Sequence, residues 1–377
     1  MKRPTRILFT IPNFITAGSG YALLNVVRRL DRERFAPSIA VLRKGGKLET
    51  LIEELGIPLL ELPFTVPARP LHKLPGYIWE AAKKFRPYGF EIWHSYHYAD
   101  DYTEPLIARA SGARAWVYTK KNMSWGGRAW HVRTFLATRI AAQNTAMLER
   151  FFTHPLVRHK VRLVPRGVET DRFRPGVEPR LQIRSQLGLS RDDFLVGCVA
   201  HLLPVKGHPT LIQAVAQVPG AHLALAGKLS LDEEYVARLR ALCAELGVTG
   251  RVHFLGNVSD VPALHAELDA FVLPTLGRSR MEGCPVALLE AMSCGVPSIA
   301  TDIPGSQDII RSGEDGLLVP PEDVDALAAA LRGLLDNPQR RRELGLAARR
   351  RVEQAYPIER EVARHEALYR EIVGDYP

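Results

Sequence analysis

Segments typical of β-strands alternate with segments typical of α-helices along the whole chain, and the series starts twice. The first series opens with the strand candidate Arg6–Ile11. A turn-rich segment with three prolines and two glycines, residues 165–179, separates it from a second series that opens with Leu195–Ala200. Repeated β-α alternation favours parallel sheets with helices on both faces. We therefore predict an α/β fold with two Rossmann-like domains, residues 1–165 and 180–355.

The last helical pattern, Ile358–Val373, follows the proline of Tyr356-Pro357. Because a proline ends or kinks a helix, the chain is expected to change direction here. We predict that this C-terminal helix, within residues 358–377, packs back on the first domain. A chain of 377 residues is long enough for such an organisation without disulfides or other staples.

The cysteines and the apolar segments indicate a protein of the cytoplasm. The four cysteines include no C-x-x-C pair, so neither a disulfide framework nor a zinc site is indicated. No apolar run approaches the roughly 18 residues that a membrane span needs. The N-terminus faintly resembles a signal peptide, but Pro12 and Asn13 interrupt its apolar stretch, which favours a buried first strand.

The net charge of +9 is distributed unevenly. Residues 1–165 carry 26 lysines and arginines against 12 acidic residues, whereas the rest of the chain carries 24 against 29. A strongly basic first half indicates an anionic partner such as nucleic acid, a phospholipid surface or a phosphorylated substrate, although it can also serve solubility alone. No nucleic-acid recognition module accompanies the charge, so we do not predict a nucleic-acid partner.

A glycine-rich segment, Thr16-Ala17-Gly18-Ser19-Gly20, lies between the first strand and the helix candidate Tyr21–Leu30. Gly18 and Gly20 would let the backbone come close to a ligand, and free N–H groups at a helix start favour an anion. A plain tight turn is the structural alternative. A dehydrogenase fingerprint is not supported, because Leu23 replaces the third glycine and no carboxylate follows the second strand.

The segment from Val199 to Pro209 connects a strand to a helix and contains Lys206-Gly207. Pro209 suits the first turn of a helix. Lys206 would place a full positive charge beside the positive end of that helix, which is a reasonable arrangement for binding a diphosphate. An exposed loop lysine without a ligand is the structural alternative.

The most informative motif contains two glutamates separated by seven residues, Glu282 in a loop and Glu290 on the following helix. Eight positions are just over two helical turns, so both carboxylates can address one ligand at the helix start. Gly283 and the amides after it would offer N–H donors. Glu290 lies among apolar residues, so its carboxylate needs hydrogen-bond donors such as sugar hydroxyls, or else a buried ion pair.

With these motifs the chain resembles a GT-B glycosyltransferase of the large retaining family 4, also described as glycosyl transferases group 1. The E-x7-E signature is matched by Glu282 and Glu290 and continues as E-A-M-x-x-G-x-P to Pro297. The Lys206-Gly207 loop, residues 166–175 and the N-terminal glycines support the match in the same order. The resemblance implies two Rossmann-like domains facing across a cleft, the first binding an acceptor and the second a UDP- or GDP-sugar.

The resemblance also implies roles for single residues. Lys206 would neutralise the diphosphate as it leaves, Glu282 would contact the donor sugar, and Glu290 would bind the ribose hydroxyls. Glycines and loop amides would line the same donor: Gly18, Gly20, Gly283, Cys284 and Pro285. Relatives need no tightly bound metal or cofactor, and no D-x-D segment occurs in this chain.

The chain departs from the family pattern at one position of the donor site. Many relatives carry an arginine a few positions before the lysine, as a second contact to the diphosphate, where this chain has His201. A histidine supplies no permanent cation. We therefore expect a cation from elsewhere, with Arg278, Arg280 and Lys120 as candidates, or slower turnover, or a relative that only binds.

The acceptor side is represented by two histidines of the first domain. In relatives a histidine of this domain often faces the reacting sugar, and His97 is the first candidate for that catalytic position, with His94 the second. Packing in the core is the alternative for both. A metal site at these histidines lacks support from nearby cysteines or carboxylates. The basic, aromatic loop at residues 119–127 could form a wall of the acceptor or diphosphate site.

Together these observations predict a cytoplasmic hexosyltransferase. It would move a sugar from a nucleotide-diphosphate donor to a glycan or lipid-linked acceptor, with retained configuration, in polysaccharide or glycolipid biosynthesis. The basic first domain fits peripheral contact with an anionic membrane at its inner face. The alternatives are a nucleotide-sugar epimerase or phosphorylase of similar shape, and a catalytically weak relative that binds nucleotide sugars.

Overall fold

The computed structural model describes residues 3–14, 17–46, 48–97, 99–278 and 281–374. The chain divides into two units: residues 1–165 with 358–377 form unit 1, and residues 166–357 form unit 2. Each unit contains one parallel β-sheet whose strands are connected through helices. The predicted α/β class with two Rossmann-like domains is confirmed.

Unit 1 contains a seven-stranded parallel sheet. Its elements in chain order are β1 (Thr5–Thr10), α1 (Ala17–Val27), β2 (Phe35–Val41), α2 (Leu48–Glu54), β3 (Leu59–Glu61), α3 (Leu74–Phe85), β4 (Ile92–Ser95), α4 (Thr103–Ala110), β5 (Ala115–Lys120), α5 (Arg128–Leu136), β6 (Arg139–Ala142), α6 (Thr145–Phe151), α7 (Pro155–Arg158) and β7 (Val161–Leu163). The strand order is β3-β2-β1-β4-β5-β6-β7. The order reverses between β1 and β4, where Ile7 pairs with Ile92 and Thr10 with Ser95.

The central strands of unit 1 are buried on both faces. Ile7, Leu8 and Phe9 of β1 and Trp93 of β4 are all 0% exposed. Helices cover both sides of such a sheet, so its strands become continuous apolar runs rather than alternating patterns. Continuous apolar runs of this kind are what predicted these segments to be strands.

The C-terminal helix, Ile358–Val373, belongs to the core of unit 1. The ring of Tyr369 is fully buried, and its hydroxyl lies 2.6 Å from Nδ1 of His94 in β4. The Glu371 carboxylate pairs with Nη2 of Arg139 in β6 at 2.8 Å. This helix therefore packs on the sheet of unit 1, whose first strand is the first element of the sequence.

Unit 2 contains a six-stranded parallel sheet. Its elements in chain order are α8 (Ile183–Gln186), β8 (Phe194–Val199), α9 (His208–Ala216), β9 (Ala221–Ala226), α10 (Glu233–Glu245), β10 (Val252–Gly256), α11 (Val261–His265), β11 (Ala270–Leu273), α12 (Val286–Ser293), β12 (Ser298–Thr301), α13 (Pro304–Gln307), β13 (Leu317–Val319), α14 (Val324–Asp336) and α15 (Pro338–Ala355). The strand order is β10-β9-β8-β11-β12-β13. Here the order reverses between β8 and β11, where Val196 pairs with Ala270.

The turn-rich segment that separates the two series of strands is packed onto unit 2. Phe173 is buried, and its carbonyl accepts hydrogen bonds from Ser293 Oγ at 2.6 Å and Arg349 Nη1 at 2.7 Å. The same arginine donates to the Thr170 carbonyl at 2.9 Å. Unit 2 therefore begins at residue 166 rather than at 180, because side chains of α12 and α15 satisfy the backbone of this segment.

Candidate active site

The loops that follow β8 and β11 meet at the carboxyl edge of the unit 2 sheet. In open parallel sheets, ligands bind at this edge, where the strand order reverses. The β8 loop contains a short helical turn, Pro204–Lys206, and the β11 loop leads through Glu282 to α12. The backbone N–H of Leu276 donates to the carbonyl of Val205 at 2.9 Å, so the two loops are joined directly.

Lys206 and Glu282 form an ion pair at this edge, with 2.7 Å between Nζ and Oε2. The lysine side chain is 12% exposed and the glutamate side chain 38%. A partly exposed pair of this kind contributes little to stability. The structure thus brings together two of the residues that the motifs single out, and both charges remain reachable from solvent.

The turn at Lys206-Gly207 requires glycine at its second position. Gly207 has a φ of +69°, and a Cβ on it would lie only 1.9 Å from the carbonyl oxygen of Pro274. Gly207 is also the residue that precedes the first turn of α9. The missing side chain lets the β8 loop lie against the end of β11, which brings Lys206 to Glu282.

The Gly207→Ala variant should destabilise the protein more than the Gly220→Ala variant. Both glycines have a positive φ, which costs an alanine about 1–2 kcal/mol. Nothing lies within 4 Å of a Cβ at Gly220, whereas a Cβ at Gly207 overlaps backbone. We expect a further loss of about 1–3 kcal/mol in the free energy of unfolding of the Gly207 variant, measured by urea unfolding. Equal losses in the two variants would contradict this close approach.

Glu290 lies in the second turn of α12, and its carboxylate is only partly accessible. Burial raises its pKa to about 7; the charge of Glu169 adds to this shift and Arg172 opposes it. Among the described residues, no hydrogen bond or ion pair engages this carboxylate. A desolvated carboxylate without donors is unfavourable in its charged form, which is the reason for the raised pKa.

Helix α13 packs closely against the loop between Glu282 and α12. Gly283, Cys284 and Pro285 are buried, and a Cβ on Gly305 would lie 2.5 Å from the Glu282 carbonyl oxygen. Pro285 immediately precedes α12 and has no N–H group. Pro285 therefore cannot supply one of the amide donors expected at this loop.

His201 lies just beyond the end of β8 and is exposed. Partial desolvation and the positive charges of Lys206 and Lys228 lower its pKa, although Glu282 opposes them. The ring is therefore uncharged at neutral pH. His201 can offer a hydrogen bond to a donor phosphate, but it does not replace the charge of an arginine.

Lys228 is a cation at the same sheet edge that the sequence analysis missed. It follows β9, the neighbour of β8, and is exposed. A Cβ on Gly227 would lie 2.0 Å from the Ala200 carbonyl oxygen, so the β9 loop touches the β8 loop. The signal in the sequence was the short Ala-Gly-Lys segment directly after a buried strand.

The three other candidate cations are not placed for the diphosphate by the described contacts. Nε and Nη2 of Arg278 each donate to the Glu322 carboxylate at 2.9 Å. Lys120 belongs to unit 1, where it is buried, with Nζ 4.9 Å from the ring centroid of Trp130, and burial lowers its pKa to about 7. Arg280 lies outside the described residues. A role of Arg278, Arg280 or Lys120 as the second cation stays a prediction.

The carboxyl ends of β1 and β4 in unit 1 enclose a buried ion pair between Glu104 and Arg133. Both residues are 0% exposed, and Arg133 Nη2 lies 3.4 Å from Glu104 Oε2. The carboxylate accepts hydrogen bonds from Ser95 Oγ at 2.7 Å, from Trp93 Nε1 at 3.1 Å and from the Thr10 hydroxyl. Burial raises the pKa of Glu104, and Arg133 and the hydroxyl donors oppose that shift. Sequence reasoning missed this pair because the two residues lie on different helices.

His97 follows β4 and is held by this network. Its N–H donates to Ser95 Oγ at 3.3 Å, and its carbonyl accepts from Arg133 Nη2 at 3.1 Å. Its ring meets Phe64 edge-on, with 5.4 Å between centroids. Its buried Nδ1 lies 3.9 Å from Glu104 Oε2 and forms no hydrogen bond with the described residues. Burial and Arg133 lower the pKa of His97 to about 4, so the ring is neutral at pH 7.

His94 is part of the core. Its Nδ1 lies 2.6 Å from the Tyr369 hydroxyl and its Nε2 lies 2.9 Å from the Thr119 hydroxyl. The side chain is fully buried, and burial lowers its pKa well below the usual value. Both ring nitrogens are engaged, so the packing alternative holds for this second acceptor candidate.

Gly18 and Gly20 lie inside α1, which begins at Ala17, four residues earlier than predicted. A Cβ on Gly20 would come within 2.8 Å of Leu48 Cδ1, so this glycine permits the close packing of α1 on α2. Thr16 lies outside the described residues. An approach of these glycines to a donor diphosphate stays a prediction.

Two kinds of feature are absent from the described part of the chain, a cluster of metal ligands and a membrane-spanning helix. In those residues no group of three or more His, Cys, Asp or Glu side chains is placed to hold a metal ion. Within the same ranges, no helix combines the length and the apolar character that crossing a bilayer requires.

Part of the chain, most of unit 2, is similar to a known family of proteins. Residues 179–351 match the family of glycosyl transferases group 1. The GDP-mannose-dependent alpha-(1-6)-phosphatidylinositol monomannoside mannosyltransferase of Mycolicibacterium smegmatis is 35% identical over 195 residues, covering 49% of this chain and 50% of that protein. The D-inositol 3-phosphate glycosyltransferase of Acidothermus cellulolyticus is 35% identical over 197 residues, with coverage of 49% and 42%. The chain thus spans about half the length of the curated relatives it matches.

Solved structures resemble the whole chain. A glycosyltransferase from Rickettsia africae has a TM-score of 0.88 at 17% identity and covers 100% of both chains. The Anabaena protein HepE in complex with UDP-glucose has a TM-score of 0.81 at 21% identity and covers 98% of this chain and 99% of its own. At such identities the likeness concerns the fold, which is that of GT-B glycosyltransferases.

Proposed function

We propose that the protein is a glycosyltransferase, because residues 179–351 match the family of glycosyl transferases group 1 and the chain has the GT-B fold. It moves a hexose-type sugar from a nucleotide-diphosphate donor to a hydroxyl group of a glycan or lipid-linked acceptor. The observation that carries this proposal is the Lys206–Glu282 pair at the reversal point of the unit 2 sheet.

The donor diphosphate binds beside Lys206, at the start of α9. When the bond between the sugar C1 and the diphosphate oxygen breaks, negative charge develops on that oxygen. The Lys206 ammonium stabilises this charge in place of its present partner Glu282, with Lys228 as the second cation. Glu282, released from the lysine, accepts hydrogen bonds from hydroxyls of the donor sugar.

The nucleoside part of the donor binds at Glu290. Its carboxylate has no competing partner among the described residues, and ribose hydroxyls satisfy it. Relatives at 35% identity are named as GDP-mannose-dependent enzymes that act on phosphatidylinositol mannosides. GDP-mannose is therefore the first donor to test, and a lipid-linked polyol the first acceptor.

In the transfer, the acceptor oxygen forms a bond to C1 as the bond from C1 to the diphosphate breaks. The hydroxyl proton goes to the departing diphosphate, so no external base is needed, and the configuration at C1 is retained. The neutral His97 positions the acceptor by a hydrogen bond, since a ring with a pKa of about 4 is uncharged at working pH. Such an enzyme serves polysaccharide or glycolipid synthesis at the inner face of a membrane.

The test is a thermal-shift screen of GDP-, UDP- and ADP-sugars, followed by mass spectrometry of reaction mixtures with phosphatidylinositol and oligosaccharide acceptors. We expect stabilisation by one class of nucleotide sugar and an acceptor heavier by one hexose, with α-linkage from an α-linked donor by NMR. An isomerised sugar nucleotide without an acceptor would identify an epimerase instead. Binding without any product would leave only a binding protein, and no binding at all would overturn the proposal.

Nucleotide affinity should rise with pH, and Glu290 should be the cause. Burial raises the pKa of Glu290 to about 7. About a tenth of the Glu290 carboxylates are therefore ionised at pH 6, and most of them are ionised at pH 8. Only the ionised form accepts both ribose hydroxyls. We expect GDP to bind about tenfold more tightly at pH 8 than at pH 6, measured by calorimetry.

The Glu290→Gln variant is the matched control for this pH dependence. It retains the shape of the side chain but does not titrate, so its remaining pH dependence reports the diphosphate itself. The Glu290→Ala variant should bind nucleotide more weakly at both pH values. An unchanged pH profile in Glu290→Gln, or unchanged affinity in Glu290→Ala, would remove Glu290 from the ribose role.

A further inference from the structure

Exposed apolar side chains lie together on α5 and α7 of unit 1. Val132 and Phe135 are three positions apart on α5, so they share one helical face, and they are 43% and 44% exposed. Leu156 on α7 is 63% exposed. The ring of Phe135 lies 5.1 Å from that of His154, the residue that caps α7, and Lys160 Nζ donates to the Phe135 carbonyl at 2.8 Å. These contacts make one continuous surface of the two helices.

Cations surround these apolar side chains. Residues 128–163 contain seven lysines and arginines and one acidic residue, Glu149. Three of these cations are paired with carboxylates outside the segment, namely Arg133 with Glu104, and Arg139 and Arg162 with Glu371. Arg128, one turn before Val132, and Arg158, at the end of α7, are exposed and form no ion pair with the described residues. Burial and the nearby charges of Arg139 and Arg109 lower the pKa of Lys160, which reflects a local excess of positive charge. We call Arg128, Val132, Phe135, Leu156 and Arg158 the basic apolar patch.

We infer that the basic apolar patch binds the headgroup region of an anionic lipid bilayer. The positive charges complement a negatively charged surface. Phe135 and Leu156 project from short helices and can enter the boundary between headgroups and acyl chains. Nucleic acid would use the cations and leave these apolar side chains in water. The inference rests on the proposed function in one respect, because an enzyme with a lipid-linked acceptor must bind to the membrane that contains this acceptor.

Vesicle flotation of the full-length protein tests the inference without any donor or acceptor. The vesicles are phosphatidylcholine with a third of phosphatidylglycerol, compared with pure phosphatidylcholine, at about 0.1 M salt. We expect binding to the anionic vesicles only. The Arg128→Gln/Arg158→Gln variant should bind about 30-fold more weakly, which corresponds to about 1 kcal/mol per cation. The Phe135→Ser/Leu156→Ser variant should lose at least about tenfold.

The control variant is Arg342→Gln/Arg350→Gln, which removes two exposed arginines of unit 2 and should bind as the parent does. Circular dichroism of every variant verifies that the fold is intact. Equal binding to both vesicle types, equal losses in the control, or no loss in the patch variants would overturn the inference. Loss of vesicle binding in the presence of soluble inositol phosphate would overturn it too. So would displacement of the vesicles by single-stranded RNA, if RNA binding is weakened by the Phe135→Ser/Leu156→Ser variant to the same extent. Failure to transfer any sugar, with vesicle binding intact, would refute only the proposed function.

Discussion

The Lys206→Ala variant should turn over its nucleotide sugar about 10²- to 10³-fold more slowly than the parent, as expected for loss of one charge contact to a developing anion. The lysine lies at the carboxyl end of β8, 2.7 Å from a partner that a diphosphate can displace. Lys206 stabilises the diphosphate more strongly in the transition state, in which the C1–O bond is breaking, than in the bound donor. The loss should therefore appear mainly in kcat and less in the affinity for nucleotide.

Two further variants separate the charge from the local structure. Lys206→Arg keeps the cation and should recover part of the rate. Lys84→Ala removes an exposed lysine of unit 1 and should leave turnover unchanged. Steady-state kinetics with a donor identified by the binding screen provide the measurement. Normal turnover in Lys206→Ala would eliminate the diphosphate role of this residue, whatever the outcome for Glu290.

The Arg133→Met variant should lower the free energy of unfolding of unit 1 by about 3–5 kcal/mol. It leaves the Glu104 carboxylate fully buried without its cation, and it also removes the hydrogen bonds of Arg133 to Ser95 and to the His97 carbonyl. All five tryptophans of the chain belong to residues 79–130 of unit 1, so their fluorescence during urea unfolding reports this unit alone.

A double-mutant cycle tests whether the two buried charges act as a pair. The Glu104→Gln/Arg133→Met variant buries neither charge, so it should lose clearly less than the two single variants lose together. The exposed pair of Lys83 and Glu80, with 3.0 Å between Nζ and Oε1, is the comparison, and Glu80→Gln should change stability by less than about 1 kcal/mol. Additive losses in the cycle would show that Glu104 and Arg133 stabilise unit 1 independently.

The strands and helices of unit 2 were predictable because their signals are local. The strand predicted at Leu195–Ala200 differs from β8, Phe194–Val199, by one residue at each end. In unit 1 the segment between β5 and β7 was missed. Helix α5 has the charged residue Arg133 at a buried position, so its apolar pattern is interrupted and did not predict a helix. The partner of this arginine, Glu104, lies 29 positions earlier in the chain, so no local pattern indicates the pair.

The candidate site was predictable where one motif contains all of its residues. The E-x7-E spacing indicated Glu282 and Glu290, and the Lys206-Gly207 loop indicated the cation. Contact between Lys206 and Glu282 depends on strand order, which places β8 beside β11 although 70 residues separate them, and no local pattern encodes that order. For the same reason Lys228, at the end of the neighbouring strand β9, became visible only in the structure.

The C-terminal helix gives the two units different histories during synthesis. Unit 2 is one continuous stretch, so it can finish folding as soon as its last residue leaves the ribosome. The nascent unit 1 keeps Phe9 and Phe35 uncovered until unit 2 has been made, because the ring of Tyr369, 6.3 Å and 5.7 Å from theirs between centroids, follows unit 2 in the sequence. In this protein the part that is translated first is the part that is completed last, which inverts the usual order for chains of several domains.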